Sequence, residues 1–432
     1  MNIIKKMSPQ LKIVLSFITL ILIGSILLSI PISTNNKTLY LNNLFTSTTS
    51  VTITGLTTVD IANTYTTFGK IVIALLIKLG GLSITTITLF LLIFTKTKIG
   101  LESRYLMKEN IDLDTQVGIL KLVKRIVIIS LIFEIIGAFI FTIIFKIEGN
   151  SLLNSLGYGL FHAISSYNNA GITIFPYSDS LIYYSDNYLF IITTAILIIS
   201  GGLGTIVIYD IYENKRWKKL KQHSKIVLKM TILLILVGMI MFYLIEDDAN
   251  LINSFFHSVT LRTAGFYSYS YINIKAITIL VMISLMFIGG GPASTAGGVK
   301  VTTIYTINKK LIADFRNKRV ISYNKTINET YIKKALNIFM YTLFTVIIGI
   351  VLISIFNQNV SLSMISFEVV SAISNTGLSL NLTSNLNNFS QIVLIILMII
   401  GRVTVITFLQ SFISPHFKEH IEIDYIDAKY IV

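Results

Sequence analysis

Phe256-His257-Ser258-Val259-Thr260-Leu261-Arg262-Thr263-Ala264-Gly265-Phe266 is the stretch on which the fold turns. It opens on a phenylalanine and runs through a moderately apolar segment carrying hydroxyl side chains. It closes on a small residue, a glycine and a large apolar residue. The same order recurs in Phe45 through Thr54-Gly55-Leu56, Phe161 through Ala170-Gly171-Ile172, and Phe367 through Thr376-Gly377-Leu378. The Phe-to-Gly intervals, from Phe45, Phe161, Phe256 and Phe367, are 10, 10, 9 and 10 residues. A segment of that length is too short to cross a bilayer but suits a re-entrant half-helix followed by extended backbone.

What surrounds these segments is apolar enough for a membrane. The 432-residue chain is 53% hydrophobic and 13% charged, with a mean hydropathy of +0.75, far from the charged surface of a soluble domain this size. Eight long apolar runs span Ile13 to Ile30, Ile71 to Phe94, Ile126 to Phe145, Tyr188 to Ile208, Ile226 to Ile245, Ile272 to Ile288, Ala335 to Phe356 and Ile392 to Phe412. Eight transmembrane helices are therefore expected, most of the runs matching a hydrocarbon core of ~30 Å. The first run follows Lys5 and Lys6 as a signal peptide would, but its length and lack of a small-residue cleavage motif favour a retained helix.

The net charge of +14 is topological. Basic residues cluster at Lys96, Lys98, Arg104, Lys108, Lys121, Lys124 and Arg125, then at Lys215 to Lys229, then at Lys309 to Lys334. These are every second connection, as the positive-inside rule requires, so both termini are expected to be cytoplasmic. The alternate connections carry Asp179, Asp186, Glu246, Asp247 and Asp248. No nucleic-acid partner is expected. The absence of cysteine rules out disulfides and thiolate chemistry.

The fold class expected is an all-α polytopic membrane protein of four tandem helix–pore loop–helix repeats around a central ion pathway. The repeats are residues 1–95, 96–212, 213–311 and 312–414, followed by a cytoplasmic segment, 415–432. A half-helix entering from outside ends near mid-membrane with its partial negative charge inward. A glycine there lets successive carbonyl oxygens turn toward an axis and replace an ion's hydration shell. Isolated packing glycines do not account for the shared Phe, spacing and flanking helices.

These residues resemble the Trk/Ktr/HKT superfamily of potassium transporters, and most of all the Ktr membrane subunit, over nearly the whole chain. Phe161-His162-Ala163 through Tyr167-Asn168-Asn169-Ala170-Gly171 is similar to the family's second filter. Val259 to Phe266 is similar to the third, and Phe367-Glu368-Val369-Val370-Ser371-Ala372 with Thr376-Gly377-Leu378-Ser379 to the fourth. Phe287 to Lys300 resembles the intramembrane gate, and Gly401-Arg402-Val403 the last helix. With room for one helix before Gly55, the Ktr branch fits better than the Trk branch, which usually carries two more. The resemblance implies a potassium filter of backbone carbonyls at Ile53, Thr54, Gly55, Asn169, Ala170, Gly171, Thr263, Ala264, Gly265, Asn375, Thr376 and Gly377. Some plant members that carry sodium have serine at the first filter glycine; Gly55 favours potassium. Asn375 stands where a smaller residue is expected, able to restrict or supplement the site.

The resemblance also implies a gating loop at Gly289, Gly290, Gly291, Pro292, Ala293, Ser294, Thr295, Ala296, Gly297 and Gly298, with Arg402 in the path below the filter. Irregular backbone at membrane depth survives only where it lines a cavity or is buried in protein; a kinked helix is the alternative. Arg402, alone in an apolar helix, marks a functional site by default, with a structural ion pair as the alternative. No Lys follows Gly297 directly, so the loop is no phosphate cradle. Gly201-Gly202-Leu203-Gly204 has Val207 where a dinucleotide fingerprint needs glycine and reads as a close-packing site. His162, His257 and Glu368 read as hydrogen-bonded pore-helix residues. Arg262 reads as a loop brace. Asp60 reads as either a loop charge or a cation attractor.

Together these imply potassium uptake across a bacterial inner membrane, with potassium as substrate, sodium or proton coupling open, no organic cofactor and no enzymatic activity. A homodimer, a cytosolic ring of nucleotide-binding regulatory subunits and membrane lipids are the implied partners. The rival class, a secondary transporter for a small solute, requires inverted repeats with broken helices; the four loops here run in one sense.

Overall fold

The computed structural model describes residues 7–82, 86, 119–176, 180–247, 250–271 and 274–412. Lys96, Lys98, Arg104, Lys108, Asp179, Asp248 and segment 415–432 lie outside the described residues. In chain order the helices are α1 (Pro9–Ser29), α2 (Tyr40–Thr52), α3 (Thr67–Leu82), α4 (Ile119–Ile147), α5 (Leu152–Tyr167), α6 (Tyr188–Leu203), α7 (Thr205–Asn214) and α8 (Gln222–Ile245). They continue with α9 (Leu251–Thr260), α10 (Ala276–Phe287), α11 (Val301–Phe315), α12 (Glu329–Phe356), α13 (Leu362–Ile373), α14 (Asn388–Val403) and α15 (Val405–Ser411).

Helices α1, α4, α8 and α12 are largely apolar runs of 21, 29, 24 and 28 residues, long enough at 1.5 Å per residue to span ~30 Å. Their outer faces stay exposed: Ile347, Ile348, Val351 and Ile355 on α12 lie at the surface, as suits contact with lipid. The eight expected spans are not eight straight helices. The run from Tyr188 breaks at Gly204, so that α6 and α7 meet at 96°, and the run from Ile392 breaks at Thr404, so that α14 and α15 meet at 100°. Both break residues have positive φ, 84° and 76°, which ends α-helix geometry. Helix α10, with 12 residues, is shorter than a span, and the expected run from Ile71 to Phe94 continues past α3 largely outside the described residues. Among the described residues four helices qualify alone, or six if each bent pair is one span. Apolar runs report burial or lipid contact; they do not report where the helical hydrogen-bond ladder stops.

The short helices α2, α5, α9 and α13 bury their C-terminal turns. Phe45, Phe256 and Phe367, each midway along one of them, are fully buried in the apolar clusters beneath the loops. Helix α2 is unusual in burying a run of Ser and Thr from Thr46 to Thr52. Its hydroxyls are satisfied by the backbone one turn back: Thr48 donates to Leu44 O (2.7 Å), Ser50 to Thr46 O (2.6 Å) and Thr52 to Thr48 O (2.7 Å). Ser47 Oγ donates across to Ile21 O of α1 at 2.7 Å. Four of the hydroxyls in this run are thus carried into the membrane with a backbone acceptor, while Thr46 Oγ1 is buried without a partner among the described residues.

Close approach of α5 to α4 depends on Gly159, where a Cβ would sit 2.6 Å from Thr142 Oγ1 and 2.9 Å from Ala138 O, whereas Gly157 on the same helix faces open space. Gly159→Ala should lower the melting temperature of the detergent-solubilised protein, since backbone must shift, at about 1–3 kcal/mol. Gly157→Ala should leave it unchanged or raise it by the helix propensity of alanine, about 0.5–1 kcal/mol. Equal effects would contradict this packing.

Candidate functional site

Each short helix ends in the same backbone turn. Ile53, Asn169, Thr263 and Asn375 have φ of 52°, 59°, 71° and 51°, and Gly55, Gly171, Gly265 and Gly377 have φ of 100°, 67°, 80° and 87°. The residues between them, Thr54, Ala170, Ala264 and Thr376, have no positive φ. This alternation turns successive carbonyls toward the same side of the strand. Asn tolerates the left-handed region; Ile53 and Thr263, being β-branched, are held there at a cost of about 1–3 kcal/mol.

The four turns close into one ring. A Cβ on Gly55 would lie 2.7 Å from Ala170 O, one on Gly171 2.6 Å from Ala264 O, one on Gly265 2.5 Å from Thr376 O, and one on Gly377 would overlap Thr54 O. The order is therefore first, second, third, fourth and back to the first. Any side chain at these positions would fill the ring and be strained as well. A ring of carbonyl oxygens at the negative ends of four helices stabilises a desolvated cation. It offers no acid, base or nucleophile, and no cluster of metal-ligating side chains exists among the described residues.

Hydroxyls in the last helical turns hold the strands upright. Thr49 Oγ1 accepts from Gly55 N (2.8 Å), and Ser371 Oγ from Gly377 N (3.0 Å). Ser165 Oγ donates to Ile172 O (2.7 Å), and Thr260 Oγ1 to Phe266 O (2.6 Å). The nine-residue interval of the third loop is also explained. Thr54 N, Ala170 N and Thr376 N bond to Thr49 O, Ser165 O and Ser371 O, five residues back, whereas Ala264 N bonds to Thr260 O, four back. The helices behind press close: a Cβ on Gly80, Gly201 or Gly401 would meet the carbonyl of Val51, Tyr167 or Ile373. This makes Gly201 the packing residue expected of it.

Residues 288–300 are not a kinked helix. Helix stops at Phe287 and resumes at Val301, and Gly289 N and Val301 N bond to Val299 O (2.9 Å) and Gly290 O (3.1 Å). The loop leans on α6, where Gly291 N donates to Gly202 O (2.9 Å) and Thr295 N to Gly201 O (3.3 Å). Lys300 Nζ donates to Ala296 O at 2.6 Å, and Arg262 Nη2, the expected brace, to Gly289 O at 3.0 Å. Arg402 Nη1 donates to Thr295 O (2.8 Å) and its Nη2 to Gly80 O (2.6 Å) and Gly81 O (3.1 Å). Among the described residues no carboxylate pairs with Arg402. Loop and arginine border a cavity of roughly 690 Å³ that also touches Gly81, Tyr167, Lys300 and Gln410.

The remaining singled-out residues bond outside the ring. Asn375 Nδ2 donates to Thr54 Oγ1 (2.9 Å) and Met398 O (2.9 Å), so its amide ties the fourth loop to the first and to α14. His162 Nε2 pairs with Thr194 Oγ1 (3.0 Å) and His257 Nδ1 with Tyr271 OH (3.0 Å). Glu368 accepts from Ser379 Oγ and from Thr383 Oγ1 (3.0 Å). Asp60 caps the helical turn Ile61–Thr64 on the surface through Ala62 N at 2.9 Å. Sequence reasoning passed over the four hydroxyls, Gly80, and the pair Lys78–Glu134, whose Nζ and Oε1 are 2.6 Å apart. A lone charge in each of two neighbouring apolar runs was the available signal.

Residues 4–420 match the model of the TrkH family, described as a cation transport protein. The chain is 35% identical to the potassium/sodium uptake protein NtpJ of Enterococcus hirae, over 93% of this chain and 92% of that one. It is 34% identical to the Ktr system potassium uptake protein B of Bacillus subtilis, over 94% and 93%. The crystal structure of the potassium transporter TrkH from Vibrio parahaemolyticus shares the fold, with a TM-score of 0.74 at 18% identity, covering 95% of this chain and 86% of that one. The chain belongs to the TrkH cation transport family and is a multi-pass membrane protein.

Arg402→Gln should speed amide hydrogen exchange through residues 291–299, because three carbonyl bonds are lost, with Arg402→Lys intermediate since an ammonium lacks the planar fork. Unaltered exchange in both variants would refute the arginine as the anchor of the loop.

Proposed function

Taking membership of the cation transport family as the premise, we propose that this chain conducts potassium into a bacterial cell through the ring of Gly55, Gly171, Gly265 and Gly377. The closed order of four glycines against four neighbouring carbonyls carries this reading. Potassium fits a filter of backbone oxygens with no room for side chains. The units are four tandem helix–pore loop–helix repeats, with residues 1–95, 96–212, 213–311 and 312–414 as their bounds, supported by the recurrent turn at each glycine. Both termini lie in the cytoplasm, supported by the basic clusters in alternate connections.

Residues 289–298 are the gate. The non-helical loop, pinned by Arg402 and Lys300, occupies membrane depth beside the cavity, and two cations there oppose the passage of a third. Opening requires the carbonyls of Thr295 and Ala296 to leave Arg402 and Lys300. The chain acts as a homodimer with a separate cytosolic nucleotide-binding regulatory subunit, as the similarity to Ktr proteins suggests. Sodium coupling is the second reading, favoured by the name of the Enterococcus relative, which carries both ions.

Rubidium uptake in a potassium-transport-deficient bacterium tests both parts. Gly55→Ser, Gly265→Ser and Gly377→Ser should each cut uptake about tenfold or more, through a blocked ring and a strained φ. Full uptake in all three would sink the filter. Removing Gly291 to Thr295 should raise flux; unchanged or abolished flux in protein that still reaches the membrane would count against the gate.

A further inference from the structure

Behind the second loop lies a buried charged group that takes no direct part in the glycine ring. Lys78 on α3 and Glu134 on α4 are joined through Nζ at 2.6 Å from Oε1 and 2.7 Å from Oε2. Lys78 Nζ also donates to Ser130 Oγ at 2.5 Å, and that hydroxyl donates to Glu134 Oε1 at 3.0 Å. The Glu134 side chain is 5% exposed and that of Lys78 18%. An ion pair in such surroundings gives back little stability, and apolar replacement of both partners is often neutral or better. Packing alone therefore gives no reason for two charges here.

The reason is supplied by a third partner. Asn168 Nδ2 donates to Glu134 Oε1 at 3.0 Å and to Ile164 O at 2.8 Å. Asn168 is the first residue after α5 and precedes Asn169, the left-handed residue of the second loop. The other loops have side-chain ties at this level: Thr52 to Thr54 in the first (2.7 Å), Arg262 to Gly289 O in the third, Asn375 to Thr54 and Met398 O in the fourth. In the second loop the amide of Asn169 is buried with neither atom partnered among the described residues. Anchoring at this level falls to Asn168, and through it to Glu134.

We propose that Glu134, its charge compensated by Lys78, is a positioning residue that fixes the backbone of the second loop through Asn168 and thereby sets potassium over sodium discrimination. The proposal rests on the reading of the glycine ring as the ion filter. Two double variants separate the hydrogen bond from the ion pair. Lys78→Met with Glu134→Leu removes both; Lys78→Met with Glu134→Gln removes the charges but keeps an acceptor for Asn168. Rubidium uptake competed by sodium, normalised to membrane protein, is the readout.

The Leu pair should lose about fivefold in discrimination, the worth of one hydrogen bond, and the Gln pair should restore it. Asn168→Leu alone should match the Leu pair, and adding it to the Leu pair should cost nothing more. Equal discrimination in the Leu and Gln pairs would overturn the proposal. If the Leu pair does not reach the membrane, parental discrimination in Asn168→Leu would overturn it instead. Gly265→Ser, measured alongside, separates the levels. If it lowers discrimination while the Leu pair does not, only Glu134 is misassigned; if it has no effect, the filter reading fails, and this proposal with it.

Discussion

Peptide groups at the middle of a bilayer have no water to bond, and every non-helical stretch there must find partners in the protein. The four loops meet this constraint in one way. Each has its first free amide bonded back to the helix it leaves, and a hydroxyl from the last turn bonded to the strand beyond. What is left unbonded is the inward row of carbonyls. The ring at Gly55, Gly171, Gly265 and Gly377 thus goes with the backbone bonds that hold each loop to its own helix, and the carbonyls left over are the groups a desolvated cation needs.

The same constraint governs the 288–300 loop. Its backbone is held by α6 carbonyls at Gly201 and Gly202, by internal bonds to Val299 and Gly290, and by three cationic side chains, Arg262, Lys300 and Arg402. Arginine suits this role because its planar fork can serve carbonyls on two segments at once. Arg402 joins Thr295 to Gly80 and Gly81, and so ties the loop to α3. The turn of α3 that carries Gly80 also carries Lys78, which binds Glu134. Ring, loop and ion pair therefore meet on three neighbouring residues of one helix.

Much of this was legible in the sequence. The four Phe-to-Gly segments, the broken apolar stretch from Gly289 and the isolated Arg402 stand out because each violates the rule for an ordinary spanning helix: too short, too rich in glycine, or charged. Other features did not stand out. Thr49, Ser165, Thr260 and Ser371 are ordinary hydroxyl residues among many, and only their place one turn below a left-handed residue gives them a role. Lys78 and Glu134 lie 56 positions apart, and no helical period links them. Asn375 read as able to restrict or supplement the site, yet its amide nitrogen is bonded to Met398 O and Thr54 Oγ1.

Hydropathy, charge alternation and the repeated glycine segments determined that the chain lives in a membrane and which residues lie at the tips of its short helices, since these depend on local composition and spacing. The tertiary structure alone decided that the four tips close in cyclic order, that two apolar runs bend by about a right angle at Gly204 and Thr404, and that Arg402 serves backbone rather than a carboxylate. Those outcomes depend on which carbonyls remain unsatisfied after packing, and that is a property of neighbours distant in sequence.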